Sequence, residues 1–154
     1  MERELRIARW LADHHFPAVR VADGIVQPVV LPGWAVTFWV EIESPVQAST
    51  SEMGTQLRRL HDLKLPGELD LEATDPLAGV PEHIAGATGL STAERAFLTD
   101  RTQLLRESFD RLVFAAPAGP VHGDAHRKNI VRDATGQVLL LDLERFSVGP
   151  GSGT

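Results

Sequence analysis

The chain opens on a stretch in which apolar residues recur every three or four positions. In ERELRIARWLADHH, Leu5, Ala8 and Leu11 fall on one face, and Ile7 and Trp10 widen it. That period predicts an amphipathic helix ending before Pro17. Extended character follows. AVRVA, GIVQPVVLP and WAVTFWVEI are rich in β-branched and aromatic residues and are separated by Asp23-Gly24 and Pro32-Gly33, two turn signals. The expected arrangement is an antiparallel meander after the helix. ESPVQASTS is small and polar and reads as a linker. The helical period returns at Glu52, where EMGTQLRRLHDL places Met53, Leu57 and Leu60 on one stripe.

LPGELDLEATDPLAGVPEH is rich in proline and glycine, and no regular element is expected there. STAERAFLTDRTQLLRESFDRLVF carries the strongest helical signal. Ser91 and Glu94 have capping-box spacing, and the apolar stripe runs Phe97, Leu104, Phe109, Leu112. NIVR and QVLLLDL flank Ala134-Thr135-Gly136 and predict a hairpin. The ending GPGSGT reads as a tail; its glycines lack the strand-to-helix context of a phosphate loop.

Composition narrows the partners. With a net charge of −6, no broad face would neutralise a phosphate backbone or an anionic membrane, so neither nucleic acid nor membrane is expected as the main partner. Zero cysteines exclude disulfides and thiolate metal sites. No apolar run approaches the roughly 20 residues needed to span a bilayer, and the first residues lack a signal-type apolar core. A cytoplasmic location is the default expectation.

Candidate chemistry concentrates in VHGDAHRKNIV, residues 121–131. His122, Asp124 and His126 alternate, so in a strand they would point one way, as zinc ligands of a metal-dependent hydrolase could. The other histidines (His14, His15, His61, His83) lie in unrelated segments. A purely structural reading is that Asp124 and Asn129 make turn hydrogen bonds. Downstream context favours a third reading. Asp124 and Asn129 have the spacing D-x-x-x-x-N, and the second arm of the hairpin ends in Leu141-Asp142-Leu143-Glu144. Phosphoryl transfer needs hard oxygen ligands to hold Mg²⁺ against nucleotide phosphates and a carboxylate close to the acceptor hydroxyl. A hairpin would bring Asn129 and Asp142 together, with Asp124 just before it.

HGDAHRKNIV followed by LLLDLERFSVGP resembles the aminoglycoside phosphotransferase family, kinase-like phosphotransferases of small molecules. The resemblance implies Asp124 as catalytic base and Asn129 and Asp142 as magnesium ligands. It makes His122 a brace for the loop and Glu144 a support for the metal site. Arg127-Lys128 stands where the family often has Pro-Gly. Upstream, RELRIARWLADHHFPAVRV resembles the first-lobe helix, with Glu4 matching the glutamate that pairs with a nucleotide-binding lysine. AVTFWVEIE resembles the strand entering the hinge, where backbone groups near Glu41 and Ile42 would meet adenine, and GTQLRRLHDLKLP resembles the helix after the hinge.

The fold implied is α+β, protein-kinase-like and two-lobed. A partial antiparallel first lobe is expected at 1–43, a hinge at 44–52, a mainly helical second lobe with the catalytic hairpin at 53–149, and a tail at 150–154. ATP and Mg²⁺ would be the cofactors and a small-molecule hydroxyl the acceptor. No glycine-rich covering loop or partner lysine precedes Glu4, and the chain ends soon after the hairpin. A non-catalytic remnant or nucleotide-binding module is therefore the alternative, with self-association expected through exposed edges and apolar surface.

Overall fold

The computed structural model describes residues 1–64, 67 and 69–150. Of the expected tail GPGSGT, Gly149 and Pro150 belong to a strand (Ser147–Pro150), and the remainder lies outside the described residues, as does part of the Pro/Gly-rich connection. The fold is α+β, built from helices and small antiparallel sheets. Contacts divide the chain into two compact units, one comprising Met1–Thr74 with the chain from Ala116 on, the other Asp75–Ala115.

In the first unit, α1 (Glu2–Asp13) buries Leu5, Ile7, Ala8, Trp10 and Leu11, the face its periodicity predicts. Ile7, Trp10 and Leu11 join Phe16, Leu60, Ile130, Leu140, Leu143 and Phe146 in one apolar core. The meander does not form. β1 (Val29–Leu31) and β2 (Trp34–Val36) make a hairpin, with Gly33 at φ 80° in its turn. The first extended segment pairs with the third instead: Ala22 N–H donates to Phe38 O at 3.0 Å and Val40 N–H to Arg20 O at 2.8 Å. The result is one irregular hairpin with residues 23–28 looped out. Pro28 lacks the N–H that a continuous middle strand would need, which is the physical reason for the difference.

β3 (Val46–Gln47), β5 (Ile130–Arg132) and β6 (Val138–Leu140) form a three-stranded antiparallel sheet in the order β3-β5-β6, and β4 (Ala118–Val121) pairs with β7 (Ser147–Pro150). The segment 44–52 thus supplies β3 and the start of α2 (Thr50–His61). Ser49 and Glu52 cap α2 reciprocally, the Glu52 side chain accepting from Ser49 N–H at 2.7 Å and Glu52 N–H donating to Ser49 Oγ at 3.3 Å. Glu52 also receives Arg132 Nη1 at 2.8 Å, fastening the helix start to β5. Leu60 is buried and Met53 and Leu57 are half-buried, as the stripe predicts. Gln56 is buried too, its amide donating to Val138 O at 3.0 Å.

The second unit contains α3 (Val80–Gly86) and α4 (Thr92–Asp110). α3 lies where no regular element was expected; Gly79 caps it in the left-handed conformation and Pro81 falls in its first turn, where a missing N–H does no harm. The Ser91–Glu94 capping box of α4 is present. Its apolar stripe is not buried: Phe97 is 67% exposed, and no residue of α4 is buried. Arg95 donates to the carbonyls of Ala85 and Ala87, tying α4 to the end of α3. Among the described residues no helix is long and apolar enough to cross a membrane.

Candidate active site

The β5–β6 register pairs Ile130 with Leu140 and Arg132 with Val138. One step beyond this ladder, Leu141 N–H donates to Asn129 O at 2.8 Å, so Asn129 and Asp142 emerge at the same open end of the hairpin. The Asn129 amide then reaches two neighbours: Nδ2 donates to Asp124 O at 3.1 Å and lies 3.5 Å from Asp142 Oδ2. Asp124, Asn129 and Asp142 are therefore brought together as the spacing predicts. Asn129 is buried, Asp124 is half-buried and Asp142 is exposed.

His122 sits beneath this cluster at 1% exposure. Its Nε2 donates to Leu141 O at 2.7 Å and its Nδ1 accepts from Asp124 N–H at 3.4 Å. The ring thus links the stretch before Asp124 to the strand end before Asp142. Burial is the largest influence on its imidazole and holds its pKa below the ordinary value, although the Leu141 carbonyl, Asp142 and Asp124 act in the opposite sense. With both ring nitrogens engaged by backbone, His122 is not free to ligate zinc. Asp124 Oδ2 approaches His126 Nε2 at 3.9 Å, while His126 Nδ1 accepts from Lys128 N–H at 3.2 Å. Among the described residues no group of three His, Asp or Glu side chains is placed to hold a metal ion. His122, Asp124 and His126 therefore do not form the ligand set that the hydrolase reading needs.

A hard divalent cation makes a different demand. Asn129 directs its NH₂ at Asp124 O and at the Asp142 carboxylate, which leaves its own Oδ1 without a hydrogen bond among the described residues. Asp142 adds a carboxylate whose contacts among the described residues are long, to Asn129 and to Glu144 N–H, both at 3.5 Å. Adjacent amide and carboxylate oxygens with unsaturated lone pairs suit Mg²⁺, whose remaining positions water and phosphate oxygens normally fill.

The loops are held by close backbone approach. Gly123 has φ 79°, and a Cβ there would lie 2.0 Å from Arg145 O. Asp142 itself is left-handed, with φ 53°. Arg3, on α1, donates through Nη1 to Glu144 O at 3.0 Å and through Nη2 to Phe146 O. Sequence reasoning did not single out Arg3 or Gly123. A glycine between His122 and Asp124 is a signal for positive φ, whereas Arg3 looks like any solvated base on a helix.

The remaining candidates lie apart from the cluster or have other partners. Glu4 pairs with the Met1 ammonium at 3.3 Å. Glu144 turns its backbone, through both N–H and C=O, toward Asp142 and Arg3. Glu41 and Ile42 line a cleft of about 300 Å³ with Leu139 and the hairpin turn around Thr135. That turn is at the opposite end of the hairpin from Asn129 and Asp142, roughly 13 Å away at about 3.3 Å per residue.

Among solved structures, the chain is similar to choline kinase LicA from Streptococcus pneumoniae, with a TM-score of 0.63 at 18% identity over 96% of this chain and 51% of that one. It is also similar to aminoglycoside-3′-phosphotransferase of type VIII, with a TM-score of 0.54 at 22% identity over 95% of this chain and 58% of that one. No sequence match was found among curated proteins. The fold is thus that of kinase-like phosphotransferases, and the chain spans about half the length of the structures it resembles. Its sequence matches the model of the phosphotransferase enzyme family over residues 1–151, and the chain belongs to that family.

Proposed function

We propose that the chain carries the catalytic loop and metal-binding residues of an ATP- and Mg²⁺-dependent phosphotransferase acting on a hydroxyl of a small molecule in the cytosol. One observation carries this reading: Asp124, Asn129 and Asp142 converge at the open end of the β5–β6 hairpin, and the Asn129 amide bridges the other two. Asp124 is the base, orienting the acceptor hydroxyl and taking its proton as the oxygen attacks the γ-phosphorus, while the bond from that phosphorus to the β,γ-bridging oxygen breaks and ADP leaves. Asn129 Oδ1 and the Asp142 carboxylate hold Mg²⁺, which when bound would neutralise charge on the nucleotide phosphates. His122 keeps the two loops in register through backbone contacts rather than by proton transfer. Glu144 supports Asp142 through its backbone N–H. Backbone groups at Glu41 and Ile42 receive the adenine, and Glu4 is available to a cationic partner where it now meets the Met1 ammonium.

Thermal unfolding with and without ATP–Mg²⁺ tests this reading, beside Asp142→Asn, an isosteric change that a left-handed backbone tolerates. Ligand at about 100 times its Kd should stabilise the wild-type chain by roughly 2.7 kcal/mol. That corresponds to about 5–10 °C for a chain of this size, and the variant should lose the shift. A cooperatively unfolding wild-type chain with no shift, or an equal shift in Asp142→Asn, would remove the assignment. Turnover with candidate acceptors then separates an active enzyme from a nucleotide-binding remnant.

A further inference from the structure

We infer that Arg3 is a positioning residue for the metal-binding loop, holding Asp142 through the backbone of Glu144; this rests on the phosphotransferase reading above. Arg3 lies in the first turn of α1, where the helix dipole disfavours a cation, and its acidic neighbours Glu2 and Glu4 occupy the same turn. Its guanidinium is nevertheless drawn inward, and its Nε is buried without a hydrogen-bond partner among the described residues. Helix formation does not explain that placement. The two carbonyls it reaches do: Nη1 donates to Glu144 O at 3.0 Å and Nη2 to Phe146 O.

Glu144 links Arg3 to the site. Its carbonyl is held by Arg3, while its N–H faces Asp142 Oδ1 at 3.5 Å. Asp142 has φ 53°, a left-handed conformation that aspartate enters more readily than most non-glycine residues but that still carries a cost its surroundings must offset. Two further contacts fix the same loop. Gly123 lies against Arg145 O, and the buried Phe146 ring packs edge-on against Trp10 of α1 with centroids 6.2 Å apart. The helix therefore grips the loop at two points, by hydrogen bonds near its start and by ring packing two turns later. Removing Arg3 leaves the Phe146 anchor in place, so the loop stays folded while the Asp142–Glu144 end loosens.

Groups that orient a metal ligand without touching the metal typically change affinity about 10- to 100-fold. Acting through backbone, Arg3→Ala should weaken ATP–Mg²⁺ binding by about tenfold in calorimetric titration. It should also speed amide hydrogen exchange at residues 143–147 in the metal-free chain, with exchange in α4 unchanged. Arg3→Lys, able to reach one carbonyl, should fall between. Ile7→Val, a core trim on the same helix, controls for general destabilisation and should bind as the wild type does. Wild-type affinity in Arg3→Ala, or equal weakening in Ile7→Val, overturns the inference and leaves the functional reading standing. A wild-type chain that binds no ATP–Mg²⁺ removes the functional reading and this inference with it.

Discussion

Gly123 and Gly136 have nearly the same backbone angle, φ 79° and φ 87°, but very different surroundings. A Cβ at Gly136 would meet nothing within 4 Å, whereas at Gly123 it would lie 2.0 Å from Arg145 O and 2.9 Å from Arg145 Cβ. Gly136→Ala therefore carries only the left-handed backbone term, about 1–2 kcal/mol. Reduced entropy of the unfolded chain offsets roughly 0.4–1 kcal/mol of that, leaving a net loss of about 1 kcal/mol. Gly123→Ala carries the same term and a collision besides. The Arg145 carbonyl must retreat from 2.0 Å to beyond 3.0 Å, a displacement of about 1 Å in a packed loop, and such overpacking costs about 1–3 kcal/mol. The expected total is about 3 kcal/mol. Urea unfolding at 25 °C, followed by tryptophan fluorescence, to which the buried Trp10 contributes, should separate the two variants by about 2 kcal/mol. Equal destabilisation, to within about 0.5 kcal/mol, would show that the Gly123–Arg145 contact does not constrain the loop.

Two other expectations concern stability and association. Burial holds the His122 pKa below the ordinary value, so between that depressed value and about 6.5 the unfolded chain binds more protons than the folded one. Its contribution to stability is complete above about pH 6.5 and is lost as the pH falls below it toward the folded value. The urea midpoint should therefore drop between pH 7.5 and 5.5, and drop less in His122→Gln; an identical pH dependence in both proteins refutes the assignment. Separately, Val26, Val30 and Trp34 are exposed at 93%, 73% and 75% on the irregular hairpin, which supports self-association through that surface. Sedimentation velocity across a concentration series should show species above the 16.8 kDa chain, reduced by Trp34→Ser; a single monomeric species at every concentration argues against it.

The clustering of Asp124, Asn129 and Asp142 was legible because these residues are close in the chain. Asp124, Asn129 and Asp142 fall within one loop and one hairpin, and a short turn at Ala134-Thr135-Gly136 leaves little choice of register. The α1 face and the Ser91 cap were legible for a similar reason, since each depends on spacings of three or four residues. β4 and β7 were not. Their sequences, AGPV and SVGP, are poor strand formers, and the pairing is accompanied by close packing that only small residues permit. A Cβ at Gly149 would lie 2.7 Å from Thr74 Oγ1, and one at Gly119 would lie 3.0 Å from His61 O. Tertiary contact overrides propensity there. The α4 stripe illustrates the converse limit, because periodicity identifies a face without saying whether that face is buried.

The polar groups of the candidate site divide according to burial, and the division bears on what they can do. Those that are buried have partners in the fold: His122 uses both ring nitrogens on backbone, and the Asn129 amide nitrogen bridges Asp124 and Asp142. The two carboxylates are the less buried members and have weak protein partners, Asp124 meeting His126 at 3.9 Å and Asp142 meeting donors at 3.5 Å. A carboxylate closed off by a strong internal ion pair would have to break that pair to take up a proton or a metal ion, and neither does here. The fold instead orients them through their backbones, by the left-handed turn at Asp142, the close approach of Gly123 and the Arg3 contacts to carbonyls. Such an arrangement preorganises charge without neutralising it, which the proposed phosphoryl transfer would require of its protein groups. It also accounts for the proposal that Arg3→Ala, which leaves both aspartates intact, weakens ATP–Mg²⁺ binding: the substitution disturbs the frame that aims the carboxylates.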